Sequence, residues 1–450
     1  MCGITALFSK SENIFPELYE SLYHLQHRGQ DSFGFSYFDS ERKIHSIKKQ
    51  GLLTNNIPPE VCAKIGLGHV RYPTFGKSDI LECQPFFIQG KYHNISLIHN
   101  GQIEIDEIIK KIGVLNEDSS DSLYLSHYFS YLLNQYQDLN NYIILTVVEK
   151  IQEIKGAFNC ICLIEDFGLI CFKDKYNIRP LVLGKKNENY IISSESVSIT
   201  SINYNLLGDI RSNSIILFNE KVRNIEILEL YQPLHLKPCI FEWVYLAREE
   251  SIIQKVNVYR ARTKMGEFLA NKIKWEINIS DIDYVIPVPD TSKPIALEIS
   301  KNLNKPYVEA ITKNRYVNRT FIMNTNNKRK KNIKRKLNVI NHLIKDKSIL
   351  IVDDSIVRGN TIKHIINLLK DNEVKRIYVA ICSPEIVNIN KYGYDMPKRE
   401  ELISFSKSNK ELEEILGVEK IVFQNLKDLK WSIQYYNSNI TDFEMSIFEM

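Results

Sequence analysis

Two hydrophobic periods divide the chain. In the first half, apolar residues come in short runs that read as strands: ITALF after Gly3, AFNCICLI from Ala157, GLICFK from Gly168 and NYIISSES from Asn189. Leu18, Leu22 and Leu25 are spaced for one face of a helix, which the charged, glycine-bearing loop LQHRGQDSFGF then breaks. GLGHVRYPTFG predicts a strand ending on Arg71 with a loop through Pro73, and SLIHNGQI predicts a strand ending on Asn100-Gly101. Pro233 and Pro238 punctuate the chain between Glu226 and Cys239, and helical and strand patterns alternate beyond. The predicted domains are 2–232 and 233–450.

The most informative stretch is ILIVDDSIVRGNT, Ile349 to Thr361. Four apolar residues, Ile349 to Val352, suit a strand buried on both faces of a parallel sheet. Asp353 and Asp354 close it, Gly359 permits a tight turn, and Ile362, Ile365, Ile366 and Leu369 fall at helical spacing. DYVIPVPDTSKPIA repeats the arrangement, with a strand from Tyr284 to Val288, a loop from Asp290 to Ser292, and Pro294 in a first helical turn.

Composition narrows the function classes. The 450 residues suffice for two or three domains. Charged residues are 25% and hydrophobic ones 44%, ordinary for a globular chain, and a net charge of +4 is too small to imply a nucleic-acid partner. Eight cysteines include no C-x-x-C pair, which reads as a reducing compartment. No apolar run approaches the roughly 20 residues of a membrane span, and MCGITALFSK lacks a signal-peptide pattern. A cytoplasmic location is expected, with no membrane partner.

The strand-loop-helix at Asp353 points free backbone N–H groups and a positive helix end at the carboxyl edge of a sheet, where a phosphate is held. Two acids there repel a phosphate unless they bind hydroxyls or a hard cation such as Mg²⁺, and a sugar phosphate satisfies both conditions. A solvated sheet edge is the plain alternative for an isolated acid pair. At the other end of the chain, removal of Met1 exposes Cys2 with a free α-amino group, whose pKa of about 8 makes it a usable base beside its own thiol. A buried small Cys2, a surface ion pair at Arg71, a helix cap at Asp121 and a hairpin turn at Asn100-Gly101 are the structural alternatives, each carrying weight singly and little jointly. His69 and His99 read as packed strand residues, and Cys160 and Cys162, on one strand face, as core.

VDDSIVRGNT resembles the phosphoribosyl pyrophosphate (PRPP) signature of type I phosphoribosyltransferases, and in its wording the amidophosphoribosyltransferase family in particular. Cys2 with the HRGQDS, GHVRYP and HNG segments resembles the N-terminal-nucleophile glutaminase domain of class II glutamine amidotransferases over roughly residues 2 to 220. The resemblance implies a two-domain α/β and α+β protein: an αββα Ntn-hydrolase sandwich, then an α/β parallel-sheet phosphoribosyltransferase domain. It implies Cys2 as nucleophile, Asn100 and the Gly101 N–H as oxyanion hole worth about 3 kcal/mol per donor, and Arg71, Asp121, Arg28 and Gly29 as glutamine contacts. It assigns PRPP to Asp353, Asp354, Ser355, Arg358, Gly359, Asn360 and Thr361, with Lys313, Arg315 and Tyr316 from a mobile loop, and Mg²⁺ to Ser292, Asp353 and Asp354. The implied activity is release of ammonia from glutamine and its transfer to C1 of PRPP, the first step of purine synthesis, in a homotetramer inhibited by purine nucleotides.

Departures from the family wording accompany these expectations. Asn360 stands where G-T-T is common, Asn318 replaces a loop glycine, and Asn177 in NIRP replaces the glycine of G-I-R-P; asparagine is the next most tolerant residue if φ is positive, so a preserved turn is expected. Arg248-Glu249-Glu250-Ser251 replaces R-P-D-S. Some relatives carry an iron–sulfur cluster on four cysteines. Cys239 resembles one ligand, but Asn390 and the tail DFEMSIFEM lack the others, so no cluster is expected, and with Cys2 directly after Met1 no propeptide cleavage is expected to be needed. The basic run Lys328 to Lys336 suits anion attraction or a solvated face, and otherwise a PRPP-sensing regulator that binds nucleic acid. An S-G-G-x-D-S loop for asparagine synthetase and sugar-isomerase domains are missing.

Overall fold

Alternation along the first-half strands sorts their side chains onto two opposite faces, and the sheets stack accordingly. The computed structural model describes residues 2–10, 12–53, 61–72, 80–116, 119–219, 224–230, 236–314, 337–393 and 398–449. They form two units: Met1–Pro238 with Ile252–Lys255 and Lys391–Asp395, and Cys239–Ser251 with Val256–Asn390 and Met396–Met450. Arg315, Tyr316, Asn318, Pro73 and the 328–336 run lie outside the described residues.

The first unit contains β1 (Gly3–Phe8), β2 (Ser32–Phe38), β3 (Ile44–Gln50), β4 (Ile65–Arg71), β5 (Phe86–Ile88), β6 (Ile95–Ile103) and β7 (Gly156–Ile164). It continues with β8 (Gly168–Lys173), β9 (Val182–Lys186), β10 (Asn189–Ser193), β11 (Asn205–Asp209), β12 (Ser214–Asn219) and β13 (Asn224–Glu229). One sheet has the order β11-β9-β10-β1-β4-β2-β3, the other β13-β12-β8-β7-β6-β5. Along β7, Ile161 and Leu163 meet Ile4, Ala6 and Leu67 between the sheets, while Phe158, Cys160, Cys162 and Ile164 face helices. Phe8 and Phe218 stack across the gap at 4.7 Å.

Helix α1 (Phe15–Tyr23) covers the outer face of the first sheet through Phe15, Leu18 and Leu22. Helices α2 (Asp106–Ile112), α3 (Asp121–Leu133) and α4 (Asn141–Gln152) cover the second through Ile108, Leu125, Phe129, Leu133, Ile144 and Val148. The layers are helix, sheet, sheet, helix, with each fully buried Leu, Ile or Phe contributing about 1.5–3 kcal/mol. Two boundaries differ from expectation. Helix α1 stops at Tyr23, leaving Leu25 to pack from a turn. Strand β6 runs through Asn100-Gly101 to Ile103, because Gly101 and Ile103 still pair with Phe158 and Gly156.

The second unit is built on a parallel sheet in the order Tyr284–Pro287, Ser348–Asp353, Arg376–Ile381, Lys420–Phe423. Ile349 to Val352 are each fully buried, as their unbroken apolar run requires. The helix Asn360–Asp371 lays Ile362, Ile365, Ile366 and Leu369 onto the core beside Ile351. Among the described residues no helix is long and apolar enough to cross a membrane.

Candidate functional sites

Cys2 sits at the head of β1, where Gly3 pairs with Val70, so the next register position faces Arg71. Its backbone nitrogen donates to Asn100 Oδ1 at 3.1 Å, and its Sγ lies 3.8 Å from the Tyr72 carbonyl. Asn100 belongs to the second sheet and is fully buried, and its Nδ2 has no hydrogen-bond partner among the described residues. An amide donor left so in the interior costs about 1–3 kcal/mol, a cost that an arriving oxygen acceptor removes.

The direction of the Gly101 amide follows from the ladder. Gly101 faces Phe158, whose own N–H and C=O bond in the opposite direction to Asp174, at 3.3 and 2.8 Å. The Gly101 N–H and C=O therefore point away from β7, on the side where His99 N–H meets Gln84 Oε1 at 2.6 Å. A Cβ at residue 101 would fall 1.8 Å from the Ala157 carbonyl oxygen, so only glycine fits.

Arg71 is buried and not a surface pair. Its Nη1 lies 3.2 Å from Asp31 Oδ2, and the ladder pair Ser32 with Arg71 sets this approach. Gly29 packs so closely against the same strand end that a Cβ would lie 2.6 Å from the Arg71 carbonyl carbon. Arg28 is fully buried against Glu195, whose Oε1 accepts from Arg28 Nε and meets His27 Nε2 at 2.6 Å. Asp121 is the first residue of α3, and the helix cap is Ser120, whose hydroxyl accepts from Leu123 N. Asp121 accepts from Ile103 N at 3.0 Å, two residues past Gly101, and Ser122 Oγ links it to His99 Nδ1 at 2.8 Å. Burial holds the His99 and His69 imidazoles below their usual titration range, which suits neutral packed residues.

Asp31 and Glu195 were absent from the expected set. Both lie inside segments singled out in the sequence, but their partners are 40 and 167 residues away along the chain, and only the folded ladder joins them.

In the second unit, Asp353 and Asp354 leave the sheet beside Val288, whose N–H donates to the Val352 carbonyl at 2.8 Å. Both acids are nearly buried, and the Asp354 N–H and Ser355 hydroxyl donate to their carboxylates at 2.9 and 2.5 Å. Burial, reinforced by Asp354, pushes the Asp353 carboxyl well above the usual range. Gly359 takes the left-handed conformation (φ 76°) and heads the Asn360–Asp371 helix without a side-chain cap, leaving Asn360 and Thr361 exposed at the helix start. Arg358 pairs with Glu401 at 3.0 Å, and Lys313 with Asp290 at 2.6 Å in the neighbouring loop. Ser292 is fully buried and donates to the Val288 carbonyl at 2.6 Å, so it presents no accessible oxygen to a cation in this arrangement. Cys239 faces the buried Glu444 carboxylate at 3.5 Å, a donor set that does not suit a cluster held by four thiolates.

Comparison with known proteins matches residues 260–404 to the phosphoribosyl transferase domain. Amidophosphoribosyltransferases from Haemophilus influenzae and Saccharomyces cerevisiae are 40% and 34% identical over the whole of this chain and 92% and 91% of theirs. The structure of glutamine PRPP amidotransferase from B. subtilis complexed with ADP and GMP superposes with a TM-score of 0.86. It is 26% identical and covers 100% of this chain and 97% of its own.

Proposed function

The chain belongs to the amidophosphoribosyltransferase family, and on that premise we propose that the first unit is its glutaminase and the second its PRPP site. Enzymes of this family carry out the first step of purine biosynthesis, and so does this chain: glutamine nitrogen is transferred to C1 of PRPP. The observation that supports the site assignment best is Asn100, which holds Cys2 N by its oxygen and whose buried Nδ2 has no partner among the described residues.

With Met1 removed, the Cys2 α-amine takes the thiol proton and the sulfur attacks the side-chain amide carbon of glutamine. Asn100 Nδ2 and the Gly101 N–H receive the developing oxyanion. The amine returns its proton to the leaving nitrogen, the C–N bond breaks, and water releases glutamate from the thioester. Arg71, braced by Asp31, takes the substrate α-carboxylate and Asp121 the α-ammonium, while buried Arg28 and close-packed Gly29 shape the wall beside Cys2. Ammonia then attacks C1 of PRPP as the bond to pyrophosphate breaks, and exclusion of water keeps it unprotonated.

Asp353 and Asp354 hold the ribose hydroxyls, whose donors relieve the crowded carboxylates, and the open start of the Asn360–Asp371 helix holds the 5-phosphate through Ser355, Gly359, Asn360 and Thr361. The same acid pair suits Mg²⁺, which when bound offsets charge developing on pyrophosphate. Lys313 and Arg358, released from Asp290 and Glu401, add cations, and Arg315 and Tyr316 complete the set. Purine nucleotides act as inhibitors, a homotetramer is the working assembly, and the cytoplasm is its location. The B. subtilis relative was solved with ADP and GMP.

Purified protein given glutamine, PRPP and Mg²⁺ is expected to release glutamate and pyrophosphate in equal amounts. Salt-sensitive DNA binding without turnover contradicts this and favours a regulator. Asp31→Asn is expected to raise the glutamine KM about tenfold, some 1.4 kcal/mol, with ammonia-dependent synthesis unchanged. An unaltered KM removes Asp31 from its bracing role.

A further inference from the structure

The NIRP turn has a structural position that the mechanism above leaves unused. Asn177 adopts φ 58°, and Asp174 Oδ1 accepts from Tyr176 N and Ile178 N at 2.9 and 3.3 Å, which fixes the turn ahead of Arg179. The Pro180 carbonyl is held at 2.9 Å by Nδ2 of Asn159, the cross-strand neighbour of Asn100. Arg179 itself is fully buried. Its Nε donates to the Tyr392 carbonyl at 3.1 Å, and Nη2 donates to the same oxygen.

A buried guanidinium loses several kcal/mol of hydration, and here two of its donors converge on one neutral carbonyl. Those bonds hold the Tyr392-Gly393 peptide against the turn. Gly393 (φ 105°) lies against Gly101: a Cβ on it would sit 3.0 Å from the Gly101 carbonyl oxygen and 3.4 Å from Arg179 Nη2. Residues 391–393 belong to the same unit as Arg179 and Gly101.

We propose that Arg179 is a positioning residue for glutamine hydrolysis: through the Tyr392-Gly393 backbone it seats the Gly101 carbonyl and so sets the direction of the Gly101 N–H. This rests on Gly101 being an oxyanion donor. A donor misaimed by a few tenths of an ångström weakens transition-state binding and leaves ground-state binding of glutamine, made by other groups, intact.

The test measures glutamine- and ammonia-dependent synthesis of the full-length enzyme for Arg179→Met, Arg179→Lys, Gly393→Ala and Asn100→Ala, together with the rate of Cys2 alkylation by iodoacetamide, which develops no oxyanion. Arg179→Met is expected to lower glutamine kcat about 30-fold with KM within threefold, unchanged ammonia-dependent rates and unchanged alkylation. Arg179→Lys, with one donor for Tyr392, recovers part of kcat. Gly393→Ala, which keeps the Arg179 side chain but crowds the Gly101 carbonyl and strains the φ 105° backbone, reproduces the kcat loss and serves where Arg179→Met fails to fold. Undiminished kcat in both Arg179→Met and Gly393→Ala, or a change confined to KM, overturns the proposal when Asn100→Ala is inactive with glutamine. If Asn100→Ala is also fully active, the oxyanion assignment itself fails, and the proposal with it.

Discussion

Cys2→Ala is expected to abolish glutamine-dependent synthesis, by a factor on the order of 10⁴ or more, while synthesis from added ammonia stays within about twofold of the parent. The substitution removes the only atom assigned to attack the amide carbon. It leaves the backbone nitrogen that Asn100 Oδ1 holds, so the head of β1 keeps its anchor and its pairing with β4. The thiol has no part in the chemistry proposed for the second unit. The measurement is initial rate with glutamine or with ammonium salt at alkaline pH, on the same preparation, with mass spectrometry of the amino terminus. Retained glutamine turnover in the variant takes the nucleophile role from Cys2. A mature parent that is active yet still carries Met1 takes the base role from the α-amine, because that nitrogen is then an amide.

What was readable in the sequence was local. The run Ile349 to Val352 with Asp353 and Asp354 behind it specifies a fully buried strand and its polar exit from neighbouring residues alone, and the sheet confirms each position. The turn at Asn177 was readable for the same reason, since asparagine is the residue that best replaces glycine where φ is positive, and the structure shows φ 58° there. Asn100 was legible as a polar group near a strand end, but not as part of a continuing strand. In a two-sheet sandwich a polar side chain can face the interior while its backbone stays in the ladder, and sequence polarity does not distinguish that from a loop. Asp31, Glu195 and the Tyr392 carbonyl were out of reach because each becomes meaningful only through a partner distant in the chain. For Tyr392 the relevant atom is backbone, which no residue pattern encodes. Ser292 shows the converse: a hydroxyl in the expected loop, whose hydrogen goes inward to Val288.

Asp353→Asn with Asp354→Asn is expected to cost both the glutamine- and the ammonia-dependent reactions, each by about 10²–10⁴. The factor follows from the loss of two charge-assisted hydrogen bonds to ribose hydroxyls, roughly 1.5–3 kcal/mol apiece. The fold is expected to survive and to gain stability at neutral pH. The sign follows from the raised folded pKa of Asp353: the folded state binds the proton more tightly than the unfolded chain, so stability falls as pH climbs from the ordinary carboxylate range through the folded value. Above that window the parent carries an ionised Asp353 carboxylate buried beside Asp354, a cost that the amide at 353 removes. Denaturant midpoints of parent and variant from pH 4 to 8 read this directly, with the gap widening in favour of the variant as pH rises. Loss of activity together with a higher midpoint separates a binding role from a structural one. Normal PRPP kinetics in the double variant contradict the assignment, and a midpoint lower than the parent's at neutral pH contradicts the electrostatic account of why this pair awaits a ligand.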